Sequence, residues 1–127
     1  MSLLTIVLWS TDITRLSSFL ESVAGAELEA KHPGFASLSI GGVRIEIHAD
    51  EAYAGHPWFD ALRHEGAARG IGSELRVQVD DVDAAWRKAD SEGAATVQAP
   101  VDVGNGYECV VLGPDGYLIS LHKPSSS

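Results

Sequence analysis

The chain has 127 residues, which is typical of one domain, and its hydrophobic and charged fractions of 45% and 21% are those of an ordinary globular protein. The formal charge of −9 at pH 7 disfavours nucleic acid and anionic membrane surfaces as partners. The single cysteine, Cys109, excludes an intrachain disulfide, and no apolar run approaches the roughly 20 residues that cross a bilayer. Because the start lacks a secretory signal, we expect a cytoplasmic protein.

The first half of the chain predicts a strand, a helix and three further strands. An apolar run over residues 3–9 precedes Asp12, which we expect to cap a helix that ends at Gly25. Ile13, Leu16, Leu20 and Val23 recur at helical spacing. The strands that follow are predicted over residues 26–31, 35–40 and 43–49, and a Gly-Gly turn joins the last two.

A long connection follows the first half. Residues 51–73 contain two aromatic side chains and a glycine-rich stretch. We predict a short helix over residues 58–64 and a flexible hinge over residues 66–72.

The second half repeats the first. Asp12 and Asp81 are 69 residues apart, and Gly25 and Gly93 are 68 residues apart, so the spacing indicates an internal duplication. Strands are predicted over residues 74–79, 96–100, 107–112 and 117–122, with a Pro-Asp-Gly turn before the last.

We therefore predict an α+β fold of two tandem β-α-β-β-β modules in one domain. Module one is assigned to residues 3–50, the linker to 51–73 and module two to 74–124, and the domain is assigned to residues 1–124. Residues 125–127 are predicted to be a disordered tail.

Three of the predicted strands alternate between an apolar face and a face of polar or ionisable side chains. These polar side chains are Arg44, Glu46 and His48 in the first half, and Glu74, Arg76, Ser120 and His122 in the second. Such faces are either solvated, as on many antiparallel sheets, or they line a shared concavity when two short sheets curl together. The duplication favours the concavity.

The order strand, Asp-capped helix, glycine, then three strands, ending in the Pro-Asp-Gly-Tyr-Leu-Ile-Ser-Leu segment at 114–121, resembles the vicinal oxygen chelate superfamily. That group contains glyoxalase, extradiol dioxygenases, fosfomycin-resistance thiol transferases and bleomycin-resistance proteins. The resemblance covers residues 3–124. It implies mixed sheets curled into a cup around a small ligand, with antibiotic resistance among the roles to consider.

The resemblance also implies four metal-ligand positions, which in this chain are Thr5, Glu46, Glu74 and Ser120. Only Glu46 has the expected identity, and neutral hydroxyls are poor ligands for first-row metals. We therefore expect no tightly bound metal and no cofactor. A displaced metal site that uses the nearby histidines His48 and His122 stays open as an alternative.

Without a metal, Glu46 and Glu74 are expected to face each other, neutralised by Arg44 and Arg76. The competing interpretation is a structural salt-bridge cluster, in which the charged side chains pair with one another and contact no ligand. Aromatic side chains near the mouth suit a planar or cationic ligand. The candidate ligand-binding residues are Thr5, Trp9, Arg44, Glu46, His48, Trp58, Glu74, Arg76, Tyr107, Ser120 and His122.

Three functions fit these features. The favoured one is a protein that sequesters a small aromatic or cationic compound. The alternatives are a divalent-metal-dependent lyase, isomerase, thiol transferase or dioxygenase, and a metal-free enzyme with Glu46 or Glu74 as general base. We expect a homodimer, because curled four-stranded sheets leave edges that a twofold partner would cover.

Overall fold

Residues 4–125 are described by a computed structural model, and they fold into two four-stranded sheets and three helices. The strands are β1 (Thr5–Ser10), β2 (Glu27–His32), β3 (Phe35–Ile40), β4 (Val43–Ala49), β5 (Leu75–Gln78), β6 (Ala95–Asp102), β7 (Gly106–Leu112) and β8 (Leu118–Pro124). The helices are α1 (Ile13–Ala24), α2 (Pro57–Arg63) and α3 (Val82–Ser91), with short 3-10 turns at Asp50–Tyr53 and Pro114–Gly116.

The two sheets have the same topology, which confirms the predicted duplication and the α+β fold. The strand order is β1-β4-β3-β2 in the first sheet and β5-β8-β7-β6 in the second. In each sheet the first strand pairs in parallel with the last, and the remaining pairs are antiparallel. Both sheets are therefore mixed, and neither closes into a barrel.

The helix ends follow the sequence signals. The side chain of Asp12 accepts a hydrogen bond from the backbone N–H of Arg15 at 3.1 Å, and Asp81 accepts one from Ala84 at 3.0 Å. Gly25 and Gly93 adopt positive φ angles of 72° and 91°, the left-handed conformation in which glycine has no steric cost. The predicted caps are confirmed in both modules.

One apolar core joins the modules. Helix α1 contributes Leu16, Phe19 and Leu20, which are almost completely buried, and the strands contribute residues such as Leu38 and Ile119. Cys109 is also in this core, and burial raises the pKa of its thiol to about 11. The cysteine is therefore a small buried hydrophobic residue, as the apolar run around it indicates.

The turn between β7 and β8 binds the end of β1, just before α1. Asp115 accepts hydrogen bonds from the hydroxyls of Ser10 and Thr11, both at 2.6 Å, and from the backbone N–H of Thr11 at 3.1 Å. These bonds hold module two against module one.

Several element bounds differ from the prediction. Strand β6 continues to Asp102 and stays paired with β7 through two register shifts. The 3-10 turn at Asp50–Tyr53 has no helical periodicity in the sequence and was not predicted. Residues 126–127 of the predicted tail lie outside the described residues, while Ser125 donates its N–H to the Asn105 carbonyl at 3.0 Å. Within residues 4–125, no helix is long and apolar enough to cross a membrane.

Candidate functional site

The polar face of module one lies on β1, β4 and β3. The register places Val7 opposite Glu46 and Trp9 opposite His48, so these side chains share one face, as the strand parity predicts. Thr5 lies on the same face opposite Arg44.

Glu46 is the centre of a hydrogen-bonded chain on this face. Its carboxylate contacts the Arg44 Nε at 3.4 Å and the His48 Nε2 at 3.1 Å. The hydroxyl of Tyr53 lies 2.7 Å from the other ring nitrogen, Nδ1. A neutral imidazole that carries its proton on Nε2 satisfies both contacts, since Nδ1 then accepts from Tyr53. Both ring nitrogens of His48 are thus occupied.

Aromatic rings cover one end of this face. Trp9 and Tyr53 stack with their centroids 3.7 Å apart and their planes 10° from parallel. His56 meets both rings edge-on, and Phe35 lies 5.5 Å from the His48 ring. The arrangement is an aromatic cluster joined to the Glu46 carboxylate through the His48 ring.

A buried ion pair fixes the linker behind this surface. Asp50 is completely buried, and Arg69 approaches both carboxylate oxygens at 2.7 Å. Arg69 also donates to the Trp9 carbonyl at 3.1 Å, which the Tyr117 hydroxyl contacts at 2.6 Å. Hydrogen bonding to Arg69 lowers the pKa of Asp50, and the same bonds raise the pKa of Arg69. Residue 69 is therefore held rigidly although it lies in the segment predicted to be a flexible hinge.

A cleft of about 510 Å³ runs along β1, on the side of the strand that faces the linker. Its volume is within the range of small-molecule sites. Trp58, whose residue surface is 65% exposed, stands at this cleft with Trp9. The other lining residues are Ile6, Val7, Leu8, His56, Leu62, Ala67, Ala68, Arg69, Ser73 and Tyr117.

The polar face of module two carries a second charged cluster. The hydroxyl of the fully buried Ser120 donates to the Glu74 carboxylate at 3.0 Å, and the guanidinium of Arg76 lies 3.5 Å from the same carboxylate. Arg76 also approaches Glu108 at 3.9 Å, and Glu108 contacts the Nδ1 of His122 at 2.8 Å. Glu108 and His122 lie directly opposite each other on β7 and β8, and both are 8% exposed.

One polar atom on this face has no partner. Within residues 4–125, the amide nitrogen of Gln98 is the single buried side-chain nitrogen or oxygen without a hydrogen bond. Gln98 faces Val110, which in turn faces Ser120, so it belongs to the row of side chains that contains Ser120. A buried donor of this kind is suited to an acceptor on a ligand.

The structure groups the sequence-predicted residues into two separate clusters. The predicted neutralising pairs, Arg44 with Glu46 and Arg76 with Glu74, are both present. Among residues 4–125, every hydrogen bond and ion pair of Glu46 stays within module one and every one of Glu74 stays within module two, so the two carboxylates do not contact each other.

Tyr107 lies on the other side of its strand. Its hydroxyl donates to Asp83 of α3 at 2.9 Å, and this hydrogen bond raises the pKa of Tyr107. The neighbouring Glu108 occupies the polar face instead.

Tyr53, His56 and Glu108 are among the side chains of these faces that sequence reasoning missed. The first two lie in irregular segments, where no periodicity assigns a direction to a side chain. The third could have been found from the hairpin around the Pro-Asp-Gly turn, because antiparallel pairing fixes the residue opposite His122.

The residues do not fit the metal site that the resemblance implies. Its four positions hold Thr5, Glu46, Glu74 and Ser120, and both carboxylates are already engaged with arginines. Among the side chains of residues 4–125, no group of three His, Cys, Asp or Glu converges on a point that could hold a metal ion. Two hydroxyls and two ion-paired carboxylates are a weak donor set for a transition metal.

Solved structures share this fold. A glyoxalase/bleomycin resistance protein/dioxygenase family enzyme from Burkholderia phytofirmans PsJN is 25% identical with a TM-score of 0.79, covering 98% of this chain and 100% of that one. The genomically encoded fosfomycin resistance protein FosX from Listeria monocytogenes is 17% identical with a TM-score of 0.71, covering 100% and 94%. TioX from Micromonospora sp. ML1 is 22% identical with a TM-score of 0.68, covering 98% and 100%.

A search of the curated proteins finds no match to this sequence. The family model of the Glyoxalase/Bleomycin resistance protein/Dioxygenase superfamily matches residues 2–121, which is nearly the whole chain. With the duplicated modules and the two mixed sheets, this match establishes that the chain belongs to that superfamily.

Proposed function

We propose that this protein binds and sequesters a small, planar, cationic aromatic compound without a tightly bound metal. The observation that carries the proposal is the stack of Trp9 and Tyr53, with centroids 3.7 Å apart, which the His48 ring links to the Glu46 carboxylate. Flat aromatic surfaces attract cations through the negative face of the ring, and a nearby carboxylate adds a Coulomb attraction.

The balance of charge on the two polar faces supports a cationic ligand. Glu46, Glu74 and Glu108 contribute three carboxylates, and Arg44 and Arg76 contribute two guanidinium groups. With neutral histidines, one negative charge is left without a fixed cation. The formal charge of −9 on the chain favours the approach of a cation further.

A second copy of the chain would complete the cup. The two clusters lie on separate sheets, and each sheet has its first strand at an edge. A twofold partner could place module two of one copy opposite module one of the other. We therefore propose a homodimer in which Glu46 and Glu74 reach the same ligand from different chains.

Three matched probes test the ligand class. Benzamidine is a planar aromatic cation, benzamide is its neutral analogue, and benzoate is its anion. Calorimetry and thermal shift should detect benzamidine binding, weaker benzamide binding and no benzoate binding. Glu46→Gln should weaken benzamidine about tenfold, as expected for loss of a charged hydrogen-bond partner of roughly 1.4 kcal/mol, and Glu29→Gln, an exposed site on β2, should not. Equal affinity for all three probes would contradict a cation site.

Calorimetry with Ni²⁺, Zn²⁺ and Mg²⁺ separates this proposal from the alternative, a divalent-metal-dependent enzyme of the same superfamily. Ion-paired carboxylates and neutral hydroxyls predict no stoichiometric binding at micromolar metal. Tight binding of one ion per chain would reject the sequestration proposal and favour the metal-dependent reading.

A further inference from the structure

The module-two face contains a carboxylate–imidazole pair with one unused ring nitrogen. Glu108 contacts the Nδ1 of His122 at 2.8 Å, and both side chains are about nine-tenths buried. An ionised carboxylate can only accept, so Nδ1 must carry the proton of this bond. In a neutral ring, the lone pair is then on Nε2.

The Nε2 atom of His122 has no hydrogen-bond partner among residues 4–125. It is in contact with solvent, since the Gln98 amide nitrogen is the single buried side-chain nitrogen or oxygen without a partner in that range. A Cβ at Gly106 would lie 2.8 Å from this atom and from the adjacent Cε1 of the ring. The imidazole therefore fits beside residue 106 because glycine has no Cβ. The lone pair on Nε2 is thus on a buried ring and has no hydrogen-bond partner among residues 4–125.

The histidine of module one is different. Both ring nitrogens of His48 are occupied, one by Glu46 and the other by Tyr53. Among the described residues, 4–125, the His122 ring makes only one contact of this kind. The two modules are therefore not equivalent, and the free acceptor belongs to module two.

We propose that His122 is the acceptor for an N–H group of the bound cation, and that Glu108 is a positioning residue that fixes its tautomer. This inference rests on the proposed cationic ligand and assigns the group that recognises its N–H. A positive N–H donor and a neutral imidazole acceptor form a charge-assisted hydrogen bond, which is stronger than a neutral one.

Charged groups on the two strands that flank β8 lie near the ring. Strand β5 contributes Glu74 and Arg76, and strand β7 contributes Glu108; Arg76 is 3.5 Å from Glu74 and 3.9 Å from Glu108. The Glu108 carboxylate therefore has both a guanidinium and an imidazole as neighbours. Arg76 has a half-exposed side chain, which leaves it free to move aside for a cation.

The tautomer can be measured without any ligand. In the ¹⁵N-labelled protein at pH 7.5, the imidazole spectrum should show His122 as neutral, with a protonated Nδ1 and an unprotonated Nε2. Glu108→Gln retains the shape of the side chain but offers an amide donor, which should move the proton to Nε2. The control Glu29→Gln should leave the spectrum unchanged. An imidazolium, or a proton on Nε2 in the unmodified protein, would overturn the proposal.

Benzamidine affinity tests the role directly. His122→Asn retains an N–H that can reach Glu108 and deletes the Nε2 acceptor. This variant and Glu108→Gln should each weaken benzamidine 10- to 100-fold, which corresponds to about 1.4 to 2.7 kcal/mol. If benzamidine binds the unmodified protein and both variants equally, the role of His122 is refuted while the proposed function stands. If benzamidine fails to bind the unmodified protein, the proposed function is refuted together with the role of His122, and the tautomer stays as a structural property alone.

Discussion

Asp50 is the residue whose ionisation matters most to the fold of the linker. Its side chain is fully buried, and its carboxylate meets both terminal nitrogens of Arg69, whose own side chain is 8% exposed. Arg63 also approaches it at 3.5 Å. A buried ion pair of this geometry contributes little when intact relative to apolar residues, but breaking it leaves an uncompensated charge.

Asp50→Asn should therefore lower the free energy of unfolding by about 3 to 5 kcal/mol, because Arg69 loses its buried counter-charge. Urea unfolding at pH 7 measures this change. Glu51→Gln is the matched control, since the Glu51 side chain is 67% exposed and its contact with Arg63 is on the surface. Surface pairs contribute about 0 to 1 kcal/mol. If Asp50→Asn lowers the free energy of unfolding no more than the control does, water hydrates the unpaired Arg69 guanidinium and replaces its counter-charge.

The same ion pair predicts a pH dependence. Hydrogen bonding to Arg69 holds the folded-state pKa of Asp50 below its ordinary value. Its contribution is therefore fully present above the unfolded-state pKa of about 3.9 and is lost as the pH falls through the lower folded-state value. Between pH 5 and pH 2, the unmodified protein should lose more stability than Asp50→Asn, as measured by urea midpoints. If the stability of the two proteins falls in parallel with pH, Asp50 is not the group that causes the loss.

At the scale of elements, the sequence predicted the modules well because their signals are local. Caps at Asp12 and Asp81 and the alternation in β4 each depend on a few neighbouring residues. The linker was harder, because what orders it is distant in sequence: Arg69 binds Asp50 and the carbonyl of Trp9. A segment rich in glycine thus appeared flexible although its tertiary contacts hold it.

Similar reasoning explains what was missed at the site. The sequence identified the polar-face residues of β4 and β8, since apolar and polar residues alternate in these strands. In β7 the run from Cys109 to Leu112 is apolar on both faces. The sequence therefore did not show on which face of the sheet Glu108 lies. Only the pairing with β8 assigns it to the face of His122.

The docking of the linker onto module two depends on Gly70. A Cβ at this position would collide with the carbonyl oxygen of Gly116 and lie 2.9 Å from the Cα of Tyr117, and both are backbone atoms that cannot rotate away. Gly70→Ala should lower the unfolding free energy by about 1 to 3 kcal/mol through this overpacking. Gly42→Ala is the matched control, since no atom of the described residues lies within 4 Å of a Cβ there. Equal melting temperatures for the two variants would show that the linker shifts without cost.

At the scale of the whole molecule, Asp115 holds the modules together at a cost to its own backbone. Its φ of 62° is a left-handed conformation that favours glycine by about 1 kcal/mol. Its carboxylate accepts three hydrogen bonds from Ser10 and Thr11. The contacts and the backbone preference therefore act in opposite directions.

Asp115→Gly separates these two effects. The two bonds from Thr11 are exposed to solvent and contribute little, so the main loss is the part-buried bond from the Ser10 hydroxyl. A bond to a charged acceptor contributes about 1.5 to 3 kcal/mol. Against a backbone relief of about 1 kcal/mol, the variant should be less stable by about 0.5 to 2 kcal/mol. Chemical unfolding measures this, with Asp115→Asn as the intermediate case, because asparagine tolerates a positive φ and retains an acceptor. A stabilised glycine variant would show that solvent already replaces these bonds.

The proposed sharing of a cup between two chains gives a prediction that no single-chain site can imitate. The chain mass is 13.5 kDa, so light scattering at micromolar concentration should give twice that value. Trp9→Ala removes the aromatic stack of module one, and His122→Asn removes the acceptor of module two. Each variant alone should bind benzamidine weakly.

Unfolding and refolding an equal mixture of these two variants should restore binding. If cups form across chains, half of the dimers are mixed, and each mixed dimer has one cup whose two halves are both unmodified. Titration should then find about a quarter of the original high-affinity sites. If each cup forms within one chain, every cup has one altered half, and mixing recovers none. The count of recovered sites therefore reports how Glu46 and Glu74, separated on two sheets of one chain, come to serve one ligand.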